Sequence, residues 1–137
     1  MSILWDKYFI ELATTVSIKS KDPYRKVGSV IVDKDNRIVS TGFNGFPSGY
    51  PDETVDWDNR EWVRDWICHA EQNAILFARS SLVGCKLYTT LSPCCNCTKM
   101  AASAGIKTII YKEEYLKSIP DNGYLEKLNI SITKLSE

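Results

Sequence analysis

Neither sign of charge is in excess in this chain: 17 lysines and arginines face 17 aspartates and glutamates, for a formal net charge of +0 at pH 7. Such a balance gives no overall field to draw in a polynucleotide or an anionic membrane surface, and a small phosphate-bearing ligand held by a few local cations fits better. No stretch approaches the roughly 18 uninterrupted apolar residues of a membrane-crossing helix. The first ten residues, interrupted by Asp6 and Lys7, hold no apolar run of the kind a leader needs. A cytoplasmic location is expected. Linkers, low-complexity runs and internal repeats are also missing, so the 137 residues, 44% of them hydrophobic, are expected to form one domain, 1–137, around one core. Histidine occurs once. Cysteine occurs 5 times, an odd number gathered between Cys68 and Cys97, which is wrong for a secreted disulfide framework and suits reduced thiols and a metal.

Patterning orders the elements. Trp5, Tyr8, Phe9, Leu12, Ala13 and Val16 recur at the spacing of one helical face, predicting an amphipathic first helix that stops near Ser20-Lys21-Asp22-Pro23. Val27 to Val32 and Arg37 to Phe43 are β-rich and flank the polar turn Asp33-Lys34-Asp35-Asn36, as in an antiparallel hairpin. A tight glycine-rich loop, 42–49, leads into a charged, tryptophan-bearing insert from Asp52 to Trp66 whose structure the pattern does not specify. A second helix is expected from about His69, with Ala70, Ala74, Phe77 and Ala78 as its apolar stripe, then a third strand over Lys86 to Thr90. A third helix from Cys94 to Ser103 has its stop at Gly105. Lys107 to Tyr111 and Ile130 to Lys134 read as the last strands, with a short helix, Asp121 to Leu128, between them. A crossover as long as Lys112 to Asn129 suits parallel neighbours, so the prediction is a five-stranded mixed sheet with helices on both faces and its last two strands parallel.

His69-Ala70-Glu71 and Pro93-Cys94-Cys95-Asn96-Cys97 are the residues that carry chemistry. One imidazole and two thiols are good zinc ligands, and an ion with three protein ligands keeps a fourth position for water. Glu71 is a carboxylate two residues from His69, too near in sequence to share its facing easily. Both ligand groups fall at predicted helix N-termini, whose free N–H groups and positive dipole ends favour thiolates. Zinc can bring the pKa of a bound water from 15.7 to about 7, and a single carboxylate can then do both acid and base work. A closed structural zinc site, with Cys68, Cys85 or Cys95 as fourth ligand, is the plainer alternative. Against it, Cys68 and Cys95 adjoin true candidates and so point elsewhere, and Cys85 precedes a strand, as a small buried apolar residue would.

H-x-E with P-C-x-x-C is the known signature of zinc-dependent nucleobase deaminases. Together with Ser20-Lys21-Asp22-Pro23 followed by Val27-Gly28, with Gly42-Phe43-Asn44-Gly45-Phe46-Pro47, and with the extended run Cys68-His69-Ala70-Glu71-Gln72-Asn73-Ala74-Ile75, it makes nearly the whole chain resemble the deoxycytidylate deaminases of the cytidine deaminase superfamily. The resemblance implies a single-domain, three-layer α/β fold and hydrolysis of dCMP to dUMP and ammonia, a step toward dTMP. It implies zinc on His69, Cys94 and Cys97, proton transfer by Glu71, a deoxyribose contact from Asn44, and backbone contacts to the pyrimidine from Ala70 and Ser92. The phosphate is expected on the basic segment Lys21, Arg25 and Lys26 or on Tyr115, with Arg25 preferred because a guanidinium can hold phosphate through two parallel hydrogen bonds. The resemblance further implies a homohexamer, activation by dCTP and inhibition by dTTP, with Mg2+ on the triphosphate. The effector site is expected around Gly42, Phe43, Asn44 and Gly45, with Trp57 and Arg60 from the insert. Phe43 stands where the family commonly has tyrosine and so lacks one hydroxyl. Tyr50 stands where many members have cysteine, which with the single histidine argues against a second zinc.

Three other readings compete. A transfer-RNA adenosine deaminase would need a basic surface. A free-nucleoside cytidine deaminase usually lacks the long final crossover and has no need of a phosphate grip. A non-catalytic zinc-stabilised module would be indifferent to Glu71.

Overall fold

The computed structural model describes residues 2–115 and 118–136. Its centre is a sheet of five strands in the order β2-β1-β3-β4-β5: β1 Gly28–Val32, β2 Ile38–Phe43, β3 Lys86–Leu91, β4 Thr108–Glu113 and β5 Ser131–Lys134. β1 pairs antiparallel with β2 and with β3, whereas β3–β4 and β4–β5 are parallel. The mixed sheet and its parallel final pair are as the sequence predicts.

Helices cover both faces because the strands alternate. Val30 and Val32 of β1, Tyr88 of β3 and Ile110 of β4 meet Phe9, Ile10 and Ala13 of α1, Ser2–Ser17. Ile31, Leu87 and Ile109, one residue out of phase on the same strands, meet Ala74 of α3, Ala70–Leu76, Ala101 of α4, Cys95–Ala104, and Leu125 of α5, Asn122–Leu128. α4 and α5 each join parallel neighbours, and right-handed crossovers that step the same way across a sheet put both helices on one face. Each fully buried large side chain, Phe9 for example, stabilises the fold by roughly 2–3 kcal/mol. Among the described residues no helix is long and apolar enough to cross a membrane.

Two features depart from the sequence reading, and a third supplies what it left open. Trp5 and Tyr8 do not face the sheet: they are 46% and 49% exposed, and Trp5 stacks on Phe9 with ring centroids 5.7 Å apart. The buried stripe of α1 runs through Phe9, Ile10 and Ala13 instead. Phe77 is 48% exposed because α3 ends at Leu76, before the next turn of the helix could carry position 77 onto the buried face. The insert holds a helix of its own, α2, Arg60–Trp66, capped by Asn59, whose side chain accepts from the Trp62 N–H at 3.4 Å. Before it lies one turn of 3-10 helix, Asp52–Thr54.

One close approach fixes α3. A Cβ on Gly42 would lie 2.4 Å from both the Ala70 carbonyl oxygen and the Ala74 nitrogen. Only a glycine lets this helix settle so low on β2, and α3 is the element that begins at His69.

Candidate active site

His69 is the residue that caps α3, in extended backbone, and its N–H donates to the Gln72 Oε1 at 2.7 Å. Cys94 caps α4 in the same way, and its sulfur accepts from the Cys97 N–H at 3.4 Å. Two helix starts therefore meet, as their places in the sequence suggest. His69 Nδ1 lies 3.2 Å from the Cys97 sulfur and 3.5 Å from the Cys94 sulfur, and the three donor atoms all fall within 4.8 Å of one another. Bonds of about 2.0–2.3 Å to a tetrahedral ion would place nitrogen and sulfur roughly 3.5 Å apart, so the donor set fits zinc in chemistry and in spacing. Cys95 is exposed and Cys85 is packed in the apolar core; neither joins this group, nor does Cys68.

The electrostatics follow from this crowding. The Cys97 thiol, donating to its neighbour, pulls the Cys94 thiol down to about 3. Cys97, the donor of that bond and fully buried, is pushed up, and the hydrogen bond to Cys94 raises His69. Glu71, in the first turn of α3, is only 4% exposed, and burial lifts its carboxyl to about 7. A carboxyl poised there can give and take protons at neutral pH.

Above the ligands opens a cavity of about 380 Å³ at the carboxyl ends of β3 and β4. Of the residues singled out from sequence, Arg25, Asn44, Arg60, Ala70, Glu71, Ser92 and Tyr115 line it with His69 and Cys94. Asn44 is largely engaged: its Oδ1 accepts from the Val27 N–H and its Nδ2 donates to the Arg25 carbonyl, both at 2.8 Å, which holds the Arg25 to Val27 segment against the site. Each end keeps one further hydrogen-bonding capacity. The Ser92 N–H donates to the Glu113 carbonyl at 2.8 Å, which leaves its carbonyl, contacted by Ser118 at 3.4 Å, as the group able to meet a ligand.

Other expected members stand elsewhere. Lys21 pairs with Asp52 at 2.6 Å on the surface. Lys26 donates to the Ser20 carbonyl and faces a second groove beside Lys112. Lys21 thus stands apart from Arg25, whereas Lys26 shares the second groove with Arg25 and Tyr115. Trp57 packs its edge on Phe46, with centroids 5.5 Å apart, and Phe43 lies exposed at the end of β2. Gly45 exchanges backbone hydrogen bonds of 3.1 and 2.7 Å with Cys68, the residue before His69. Arg60 belongs to the cavity wall, where Asp22 holds it.

Sequence reasoning missed Arg64, Tyr24 and Asp22, which also line the cavity. Asp22 is 1% exposed and gathers the N–H groups of Tyr24 and Arg25 together with the Arg60 guanidinium, 38 residues away. No local spacing announces that partnership. A helical reading of 60, 63, 64 and 67 would have found the Arg64 side.

Residues 3–113 match the family described as the cytidine and deoxycytidylate deaminase zinc-binding region. The chain belongs to that family. Within this deaminase family it is 39% identical over 116 residues to the human deoxycytidylate deaminase, covering 80% of this chain and 65% of the human protein, so the match spans less than two thirds of that relative. It is 36% identical over 124 residues to the deoxycytidylate deaminase of Mycobacterium phage D29, covering 80% of this chain and 95% of the phage protein. The crystal structure of the cyanophage S-TIM5 dCMP deaminase in apo form superposes with a TM-score of 0.77 at 31% identity, covering 94% of this chain and 95% of that one. The same cyanophage protein in complex with dCMP and dUMP gives 0.73 at 31% identity, covering 93% and 94%.

Proposed function

We propose that this protein is a zinc-dependent hydrolase that deaminates dCMP to dUMP and ammonia in pyrimidine deoxynucleotide biosynthesis, upstream of dTMP. The observation that carries this reading is the placement of a buried Glu71 beside the His69, Cys94 and Cys97 donor set, at the floor of a cavity whose rim bears Arg25. The kinship to deoxycytidylate deaminases supports the choice of base and phosphate.

His69, Cys94 and Cys97 hold the zinc, which when bound supplies the Lewis acidity that makes water acidic near neutral pH. Glu71 takes a proton from the attacking water and delivers it to the ring nitrogen beside the amino-bearing carbon, making that carbon electrophilic. Once the oxygen of that water has bonded to the carbon, Glu71 takes its second proton and passes it to the amino group, and the carbon–nitrogen bond breaks to release ammonia and leave the carbonyl of dUMP. Ala70 and the Ser92 carbonyl orient the pyrimidine, Asn44 meets the sugar with its remaining capacity, and Arg25, stacked over Tyr115, receives the phosphate.

In the same reading the enzyme is a cytoplasmic homohexamer, activated by dCTP and inhibited by dTTP, with Mg2+ on the triphosphate. Loop 42–45 and Trp57 take the effector. The backbone bridge between Gly45 and Cys68 gives a physical route, because a loop that shifts there pulls on the residue next to His69.

Turnover of dCMP, dCTP, deoxycytidine and a transfer-RNA stem-loop, followed by absorbance with and without dCTP or dTTP, tests the assignment. The expected result is deamination of dCMP before the others, raised by dCTP and lowered by dTTP. In Glu71→Ala, kcat falls by roughly 10²–10⁴ while zinc content is kept. Full turnover in that variant would sink the enzyme reading, and indifference to both triphosphates would remove only the regulation.

A further inference from the structure

Arg60, Val63, Arg64 and Ile67 follow the i, i+3, i+4, i+7 spacing of one helical face, and all of them line the cavity above the metal ligands. The two arginines on that face are in different states. Arg60 forms a fork with the buried Asp22, its Nη1 and Nη2 lying 3.2 and 2.9 Å from the two carboxylate oxygens, and it donates to the Trp57 carbonyl at 2.9 Å. Its charge is already answered. Arg64, one turn along, makes no ion pair among the described residues. Like charges four apart on a helix repel, so the exposed Arg64, at the cavity wall and without an ion-pair partner among the described residues, favours an anion in front of it.

Arg25 supplies the second half of the feature. Its guanidinium carbon lies 3.8 Å from the centroid of the Tyr115 ring, also in the cavity wall. Hydrogen bonding with Arg25 first, then the charge of Arg25 and, to a smaller degree, that of Arg64 make the Tyr115 hydroxyl more acidic, so both cations act on the same part of the rim. Lys21 is paired with Asp52 on the surface, and Lys26, bonded to the Ser20 carbonyl, shares the neighbouring groove with Arg25 and Tyr115 and stands outside the cavity that Arg64 lines. Two guanidinium groups, one fixed by stacking and one by a helix that Asp22 anchors through Arg60, match the several oxygens of a phosphate monoester better than either alone.

We propose that Arg64 is a specificity-determining residue that, with Arg25, grips the 5′-phosphate and makes the cavity select a nucleotide over the corresponding nucleoside. This role rests on the dCMP reaction proposed for the same cavity, and it goes beyond it by assigning the selection to a residue of the insert.

The test uses the zinc-loaded full chain and two readouts: kcat/KM for dCMP relative to deoxycytidine, and calorimetric Kd for dUMP relative to deoxyuridine. Arg64→Gln is expected to lower both preferences by about tenfold or more, the loss of one charge-assisted contact, with Arg64→Lys intermediate. Unchanged preferences in Arg64→Gln overturn the proposal, as do equal losses for both members of each pair. So does a Lys21→Gln variant that loses the preference while Arg64→Gln keeps it. A native protein that turns over neither dCMP nor deoxycytidine refutes the deaminase reading, and the dUMP and deoxyuridine arm still decides the role of Arg64. A native protein that deaminates dCMP yet binds dUMP and deoxyuridine alike refutes the grip and leaves the reaction standing.

Discussion

Exchanging Cys97 for serine removes a fully buried sulfur of the donor group, whereas the same exchange at Cys95 alters an exposed side chain outside it. Zinc content after dialysis against a mild chelator is therefore expected to fall below about half of one per chain in Cys97→Ser and to stay near one in Cys95→Ser, since structural loss of a thiolate removes one of three protein ligands. Equal retention in both would mean that the donor set is wrongly drawn. This distinction was legible in the sequence, because a C-x-x-C turn at a helix start brings its first and last sulfurs together and sends the middle one away. Asp22 was not legible as a site residue. It is an ordinary loop aspartate until the insert folds back and puts Arg60 against it, a contact fixed by tertiary packing and not by spacing.

Among the elements, α3 carries the most consequence, because its seat on β2 sets where His69 points. Gly42→Ala places a methyl 2.4 Å from the backbone of that helix and is expected to cost about 1–3 kcal/mol, read as a lower urea midpoint with an unchanged m value. Zinc affinity should weaken with it, since His69 moves with the helix; a variant as stable and as zinc-avid as the native chain would show that α3 is free to lift. Strands were easy to read because β-branched runs such as Val30-Ile31-Val32 feed both apolar layers in alternation. α2 was not, because it buries only Val63 and carries charged and aromatic residues all round, so the pattern of apolar positions that announces a helix is absent. The N-terminal half of α1 misled in the opposite sense: Trp5 and Tyr8 sit at helical spacing yet lie beside the sheet, where large rings can pack on Phe9 without being covered.

At the scale of the whole molecule, the His69, Cys94 and Cys97 donor group joins the starts of α3 and α4, so the zinc proposed there would be a cross-link as well as a reagent. A ligand that binds only the folded chain at about a thousandfold above its Kd adds about 4 kcal/mol of stability. For a domain of this length, stripping zinc with a strong chelator should lower the calorimetric Tm by about 10 °C. A melting temperature indifferent to the chelator would show that α3 and α4 are held together by packing alone.

The insert hangs on the body of the protein by a different kind of bond from those inside the sheet. Lys21 with Asp52 and Tyr24 with Asp58 are exposed polar links, while Asp22 with Arg60 is sheltered. Dissolved ions weaken exposed electrostatic contacts far more than sheltered ones, and they leave the burial of Phe9 or Leu87 untouched. Raising the ionic strength would thus undo the outer fastenings first and leave the insert held by Asp22 with Arg60 and by the apolar seats of Val63 and Trp57, so the tolerance of this protein to brine would be set by its mouth and not by its core.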